Sequence, residues 1–262
     1  MLASATPEGL NGWAALLAEP ARSLVALDYD GTLSPVVDRP SEAVAVAGTA
    51  GVLRALAAEV GQVALVTGRP ADVVVALGGF ADVPGLVVLG QYGMQRWEAG
   101  VLEQESPSPA LERARALVPL LLAAEPGAWL EDKGQSLVVH VRLAPDPAAA
   151  LARLWPLVGV RGLEVHSGRH VLELRPPGFD KGRMVRELGR DRAAVLFAGD
   201  DVGDLPAFAA VEELRAQGTP GLTVCSDSAE APQELRRRAD LVVPGPPGVL
   251  ALLEELLAGL AS

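Results

Sequence analysis

Leu24-Val25-Ala26-Leu27-Asp28-Tyr29-Asp30-Gly31-Thr32-Leu33 is the stretch whose reading decides the fold of this 262-residue chain. Its first four residues are a short apolar run of the kind that fills a buried strand. Two carboxylates, two residues apart, then stand where that strand gives way to a glycine-containing turn. In an open parallel α/β sheet, ligands bind beyond the carboxyl ends of the strands. Of two carboxylates in such a place, one can serve as a nucleophile and the other as an acid/base.

The same strand-then-polar-loop pattern recurs on either side of a different middle. A helix is predicted around 48–60. A strand over 63–66 runs into Thr67-Gly68-Arg69-Pro70, where Pro70 suits the start of a helix over 71–77. A strand over 86–89 ends at Gly90-Gln91-Tyr92-Gly93. Much later, Asp180-Lys181-Gly182 opens a helix to about 188. A strand over 194–198 runs into Gly199-Asp200-Asp201, followed by a helix over 206–211, strands over 222–225 and 241–243, and a terminal helix over 248–260. Strands alternating with helices predict a doubly wound parallel α/β sheet. Between the two halves come a short hairpin and loop over 97–109, a helix over 110–125, a weakly alternating strand over 136–141 and a helix over 147–157. Two strands over 163–166 and 171–174 then flank the turn Ser167-Gly168-Arg169. The expectation is a core made of residues 1–97 and 177–262, interrupted by an inserted α+β domain over 98–176.

Composition narrows the function classes. The formal net charge is −11, which opposes general affinity for nucleic acid or anionic membranes. An anionic substrate would need local cations or a metal to reverse that field. Half the residues are apolar but only 4% are aromatic, so the core is built mainly of Ala, Val and Leu. The one cysteine, Cys225, excludes an internal disulfide and suits a reducing compartment. The first residues lack a basic leader region, and no apolar run is long enough to span a bilayer. A cytoplasmic, monomeric protein is therefore expected, with no nucleic-acid or membrane partner. There are 20 arginines but only two lysines, Lys133 and Lys181. Lysine is a compact point charge and arginine a planar fork, so the two lysines are candidates for positions where a fork would not fit.

The chemistry collects at the strand ends. Asp28 and Asp30, Thr67, Lys181, and Asp200 with Asp201 and Asp204 all fall on one edge of a parallel sheet. Carboxylates this dense repel one another, and a divalent cation with hard oxygen ligands, Mg²⁺, offsets the repulsion. Such a cation also polarises a phosphoryl oxygen. Lys181 would hold a phosphate and the nucleophile together, and Thr67 and the backbone N–H groups near Asp30 and Gly68 would donate to phosphoryl oxygens. Phosphoryl transfer relies mainly on this kind of positioning and charge stabilisation.

With these motifs assembled, the chain resembles the haloacid dehalogenase superfamily of aspartyl phosphotransferases. The signature is the D-x-D-G-T loop at Asp28–Thr32, then Thr67, Lys181 and Gly199-Asp200-Asp201 with Asp204. The resemblance implies that Asp28 attacks phosphorus and that Asp30 protonates the leaving oxygen and then activates water. It implies that Asp28, the Asp30 carbonyl and Asp200 hold Mg²⁺, with Asp201 and Asp204 in support. An insertion between Thr67 and Lys181 is similar to the superfamily's C2-type cap. Its details look like the trehalose-6-phosphate phosphatases, in Glu131-Asp132-Lys133-Gly134-Gln135-Ser136-Leu137, His140-Val141-Arg142 and Glu173-Leu174-Arg175-Pro176. That likeness implies a sugar-phosphate substrate, with Glu131, Lys133, Arg142 and Glu173 on the sugar and Arg69 also in substrate binding. Two departures stand out: Tyr92 where the family usually has His, and Gly203-Asp204-Leu205-Pro206 where it has Thr-Asp-Glu-Asp. The alternatives are another capped phosphatase, acting on sucrose, mannosylglycerate or glucosylglycerate phosphate, and a signalling receiver with a long-lived phosphoaspartate. Asp30 and the long insertion argue against the receiver.

Overall fold

The computed structural model describes residues 2–37, 39–168, 170–228 and 231–261. Two compact units divide the chain: Met1–Gln104 with Asp180–Ser262, and Glu105–Phe179. The first unit begins with α1 (Pro7–Ala18), β1 (Ser23–Leu27), α2 (Thr49–Glu59), β2 (Gln62–Val66), α3 (Ala71–Gly78), β3 (Leu86–Gly90), β4 (Gln95–Glu98) and β5 (Val101–Gln104). The second holds α4 (Pro109–Leu122), β6 (Trp129–Asp132), β7 (Leu137–His140), α5 (Pro147–Leu154), β8 (Glu164–Gly168) and β9 (Val171–Arg175). The chain then returns with α6 (Lys181–Gly189), β10 (Ala194–Gly199), α7 (Leu205–Ala216), β11 (Gly221–Asp227), α8 (Gln233–Arg238), β12 (Leu241–Pro244) and α9 (Gly245–Leu260).

Among the described residues the first unit forms an eight-stranded sheet in the order β12-β11-β10-β1-β2-β3-β4-β5. From β12 to β3 all neighbours are parallel, and β4 and β5 extend the edge antiparallel. β1 is buried throughout, as expected of a parallel strand with helices on both faces. One face packs Trp13, Leu16, Leu53, Leu56, Val74 and Leu252 of α1, α2, α3 and α9 against Val25, Leu27, Val63 and Leu65. The other packs Met184, Val185, Phe208 and Val211 of α6 and α7 against Leu24, Ala26, Val66 and Phe197. The chain moves from β1 to β2 on one side and returns to β10 on the other, so the strand order reverses beside β1. In open α/β sheets that reversal leaves the crevice where ligands bind.

The second unit is a four-stranded antiparallel sheet, β6-β7-β9-β8, backed by α4 and α5. Its boundaries correct the expected division at 97/98 and 176/177. The hairpin read as the start of the insertion belongs to the first unit, because β4 pairs with β3 and β5 with β4. α1, α8 and β6 are additions to the predicted elements. Arg169, in the expected hairpin turn, lies outside the described residues. Among the described residues no helix is long and apolar enough to cross a membrane.

Candidate active site

The loop after β1 is held from several sides. Asp28 extends the strand pairing, its N–H donating to the Ala198 carbonyl at 2.9 Å. The Tyr29 carbonyl then accepts from the N–H groups of Leu33 and Ser34 at 2.8 and 3.0 Å, folding the chain back. Tyr29 turns into the core, donating its hydroxyl to the Ala43 carbonyl at 2.7 Å and meeting Phe80 edge-on. Gly31 has φ +68°, and a Cβ there would collide with the Asp200 carboxylate, so only glycine lets the two loops approach this closely. Ser226 of β11 donates to the Gly31 carbonyl at 2.6 Å and pins the turn from a third strand.

Lys181 joins the first and last acidic loops. Its Nζ is 2.7 Å from Asp28 Oδ1 and 2.7 Å from Asp204 Oδ1, and it is buried. Local sequence puts it there. Asp180 caps α6 by accepting from Arg183 N–H at 2.6 Å. Gly182 lies against the Pro206 carbonyl, where a Cβ would collide, so α6 and α7 come close enough for Lys181 to meet Asp204. Asp204 uses its other oxygen to accept from the N–H groups of Asp200 and Asp201 at 2.9 and 3.1 Å. Pro206, one of the departures from the family pattern, sits in the first turn of α7, where proline is tolerated.

Negative charge exceeds positive here. Burial pushes the Asp28 and Asp204 carboxyls up, and the Lys181 ammonium offsets only part of this. Burial acts to lower Lys181, but Asp204 and Asp28 together hold it well above the ordinary lysine value. Asp200 is pushed up to about 8, by burial first and then by the charges of Asp204 and Asp201. Carboxylate oxygens of Asp28, Asp200 and Asp204 all lie within 4.8 Å of one another. Hard oxygen donors with uncompensated charge are the donor set a divalent cation takes, so these residues fit one.

Asp30 points elsewhere. Arg69 grips both of its carboxylate oxygens, Nε to Oδ2 at 2.6 Å and Nη2 to Oδ1 at 2.7 Å, and donates Nη1 to the Pro40 carbonyl at 2.7 Å. Arg69 was expected on the substrate, and nothing in its spacing announced this pairing. Thr67 is buried and accepts from Arg69 N–H at 3.1 Å. Tyr92 N–H donates to the Thr67 carbonyl at 2.9 Å, and its hydroxyl fills the space a side chain at Gly68 would need. Asp201 caps the next turn, accepting from Gly203 N–H at 2.8 Å.

The second unit gathers a polar face. Leu130, Leu137, Val139, Leu172 and Leu174 pack toward its helices. Because side chains alternate along a strand, Glu131, Val138 and Glu173 lie on the opposite face, and the register places them side by side across three strands. Glu173 accepts from the Ser136 hydroxyl at 3.0 Å and has the Lys133 ammonium 3.8 Å away. Glu131 bonds His140 Nε2 at 2.7 Å, and His140 stacks on Trp129. Arg142 lies beyond β7 in a turn and is exposed. Ser136, His140 and Trp129 were not singled out as site residues, although strand alternation from Glu131 would have found Trp129.

Known proteins resemble this chain in sequence and in fold. The trehalose-phosphatase profile matches residues 26–241. A trehalose-phosphate phosphatase of Mycobacterium marinum is 36% identical over 206 residues, covering 72% of this chain and 52% of the relative. One from Mycobacterium ulcerans is 35% identical over the same length and coverage. The chain thus spans about half the length of these curated relatives. The C-terminal domain of the trehalose-6-phosphate phosphatase of C. albicans has the same fold, with a TM-score of 0.75 at 21% identity, covering 97% of each chain. With a profile that takes in every strand end described above, from the loop after β1 to the start of β12, the chain belongs to the trehalose-phosphatase family.

Proposed function

We propose that this chain hydrolyses trehalose 6-phosphate to trehalose and phosphate, with Mg²⁺ as cofactor, in the reducing cytoplasm that its one buried thiol, Cys225, suits. The observation that carries the reading is the Lys181 ammonium bonded at once to Asp28 and Asp204, at the edge where the strand order reverses. An ammonium so placed steadies Asp28 as a nucleophile and can follow charge onto a phosphoryl group. Asp28 attacks phosphorus, the bond from phosphorus to the sugar oxygen breaks, and Asp30 gives that oxygen a proton. Asp30 then takes a proton from water, whose oxygen attacks the aspartyl phosphate and frees Asp28 and phosphate. Arg69 occupies both Asp30 oxygens, so leaving-group protonation requires that pair to part. The Thr67 hydroxyl accepts from Arg69 N–H and keeps its own proton to donate to a phosphoryl oxygen. Asp28, Asp200 and the Asp30 carbonyl would hold Mg²⁺, with Asp201 and Asp204 in support. When bound, the cation neutralises carboxylates and draws electron density from the phosphoryl group. On the second unit, Glu131, Lys133, Glu173 and Arg142 offer acceptors and donors to sugar hydroxyls.

Phosphate release from trehalose 6-phosphate, sucrose phosphate, mannosylglycerate phosphate and glucosylglycerate phosphate, with and without Mg²⁺, tests the reading. Trehalose 6-phosphate should be turned over fastest, only with the cation, and Asp28→Asn should lower kcat by at least about a thousandfold. Preference for another ester, or turnover near wild type in Asp28→Asn, would reject it.

A further inference from the structure

The polar face of the second unit carries one group that phosphate chemistry does not need. Trp129 lies on that face by alternation with Leu130, which packs toward the helices. Its ring is stacked on His140, with centroids 4.6 Å apart and planes 6° from parallel. Glu131 holds the imidazole through Nε2 at 2.7 Å, which fixes the plane of the stack. Trp129 nevertheless keeps 36% of its surface exposed, in a chain with only four tryptophans. One ring face is taken by His140, so the surface that stays exposed lies elsewhere on the residue.

We infer that Trp129, held flat by His140 and Glu131, is a stacking platform for one pyranose ring of a disaccharide. A pyranose offers hydroxyls around its rim and a patch of C–H bonds on its face. Glu131 and Glu173 accept from the rim and Lys133 donates to it, while a rigid indole covers the C–H face with large area at small entropic cost. The inference rests on the sugar-phosphatase reading above and names the residue that recognises the sugar. The competing role for the stack is a cross-strand aromatic pair that merely stabilises the edge strand β6.

Trehalose, which lacks the phosphate, separates the two roles when titrated into the intact protein while tryptophan emission is followed. A saturable quench is expected in the wild type and in Trp155→Phe, and its loss in Trp129→Phe, whose ring can still pair with His140. In steady state, Trp129→Ala should raise KM for trehalose 6-phosphate roughly tenfold with kcat within about twofold. The ratio of kcat/KM for trehalose 6-phosphate to that for p-nitrophenyl phosphate, which has no sugar, should fall by a similar factor. No quench in the wild type, a quench that survives Trp129→Phe, or an unchanged KM in folded Trp129→Ala overturns the platform. A wild type that cleaves p-nitrophenyl phosphate but not trehalose 6-phosphate defeats the proposed function instead. The platform is then judged with maltose and sucrose: a quench lost in Trp129→Phe supports it, and no quench with either overturns it.

Discussion

Lys181 shows what one side chain contributes to this site. It is 4% exposed and touches carboxylates from two loops that are far apart in sequence. A point charge with three donors can serve both at 2.7 Å, whereas a guanidinium fork is wider and rigid. The close approach of Gly182 to Pro206 leaves no slack for it. Lys181→Arg, although it keeps the charge, should therefore lower kcat for trehalose 6-phosphate by roughly a hundredfold or more, read by phosphate release. Residue identity was legible here because lysine is rare in the chain and both lysines fall in motifs. Asp28, Asp30, Thr67 and Asp200 were legible for a similar reason: each stands within three residues of the end of an apolar run. The pairing of Asp30 with Arg69 was not, since nothing local says which of many arginines will reach a given carboxylate across 39 positions.

At the scale of elements, one buried aspartate joins several of them. Asp240, just before β12, accepts from Thr6 Oγ1 at 2.6 Å, Thr223 N–H at 2.8 Å and Thr223 Oγ1 at 2.8 Å, and pairs with Arg215 of α7. It thereby ties the start of α1 to α7 and β11. Burial alone would raise its carboxyl, but Arg215, Thr6 and Thr223 together hold it below the ordinary value of 3.8. A depressed folded value means the stabilisation is present above the ordinary value and is lost as pH falls through the folded one. Asp240→Asn should thus cost about 2 kcal/mol at neutral pH. It should also flatten the loss of unfolding free energy that the wild type shows from about pH 5 downward, measured by urea denaturation across that range. The element that Asp240 anchors had a readable start, since Thr6-Pro7-Glu8 is a capping residue, a first-turn proline and a first-turn carboxylate. β5 is the opposite case. All four of its residues are exposed, so no hydrophobic pattern marks it, and only its backbone pairing with β4 assigns it to the core sheet.

For the whole molecule, charge is the deciding quantity. A chain of net charge −11 concentrates Asp28, Asp200 and Asp204 in a buried group that one lysine only partly balances. A divalent cation bound there stabilises the folded state by mass action, because the unfolded chain has no such site. At Mg²⁺ well above its dissociation constant, the melting temperature of the wild type should rise by about 2–6 °C. A chelator should reverse the rise and Asp200→Asn should abolish it, and an equal rise in that variant would place the cation elsewhere. The sequence by itself determined the parallel α/β order, the interruption after Thr67, and the polar residue types gathered at the strand ends. It could do so because strand ends, glycine turns and apolar periodicity are local properties of the chain. Only the tertiary structure decided which partner each charge takes, where the first unit ends and which side chains of neighbouring strands share a face with Glu131. Those outcomes depend on distances between segments that are remote in sequence, set by strand register and by glycines that let loops and helices meet.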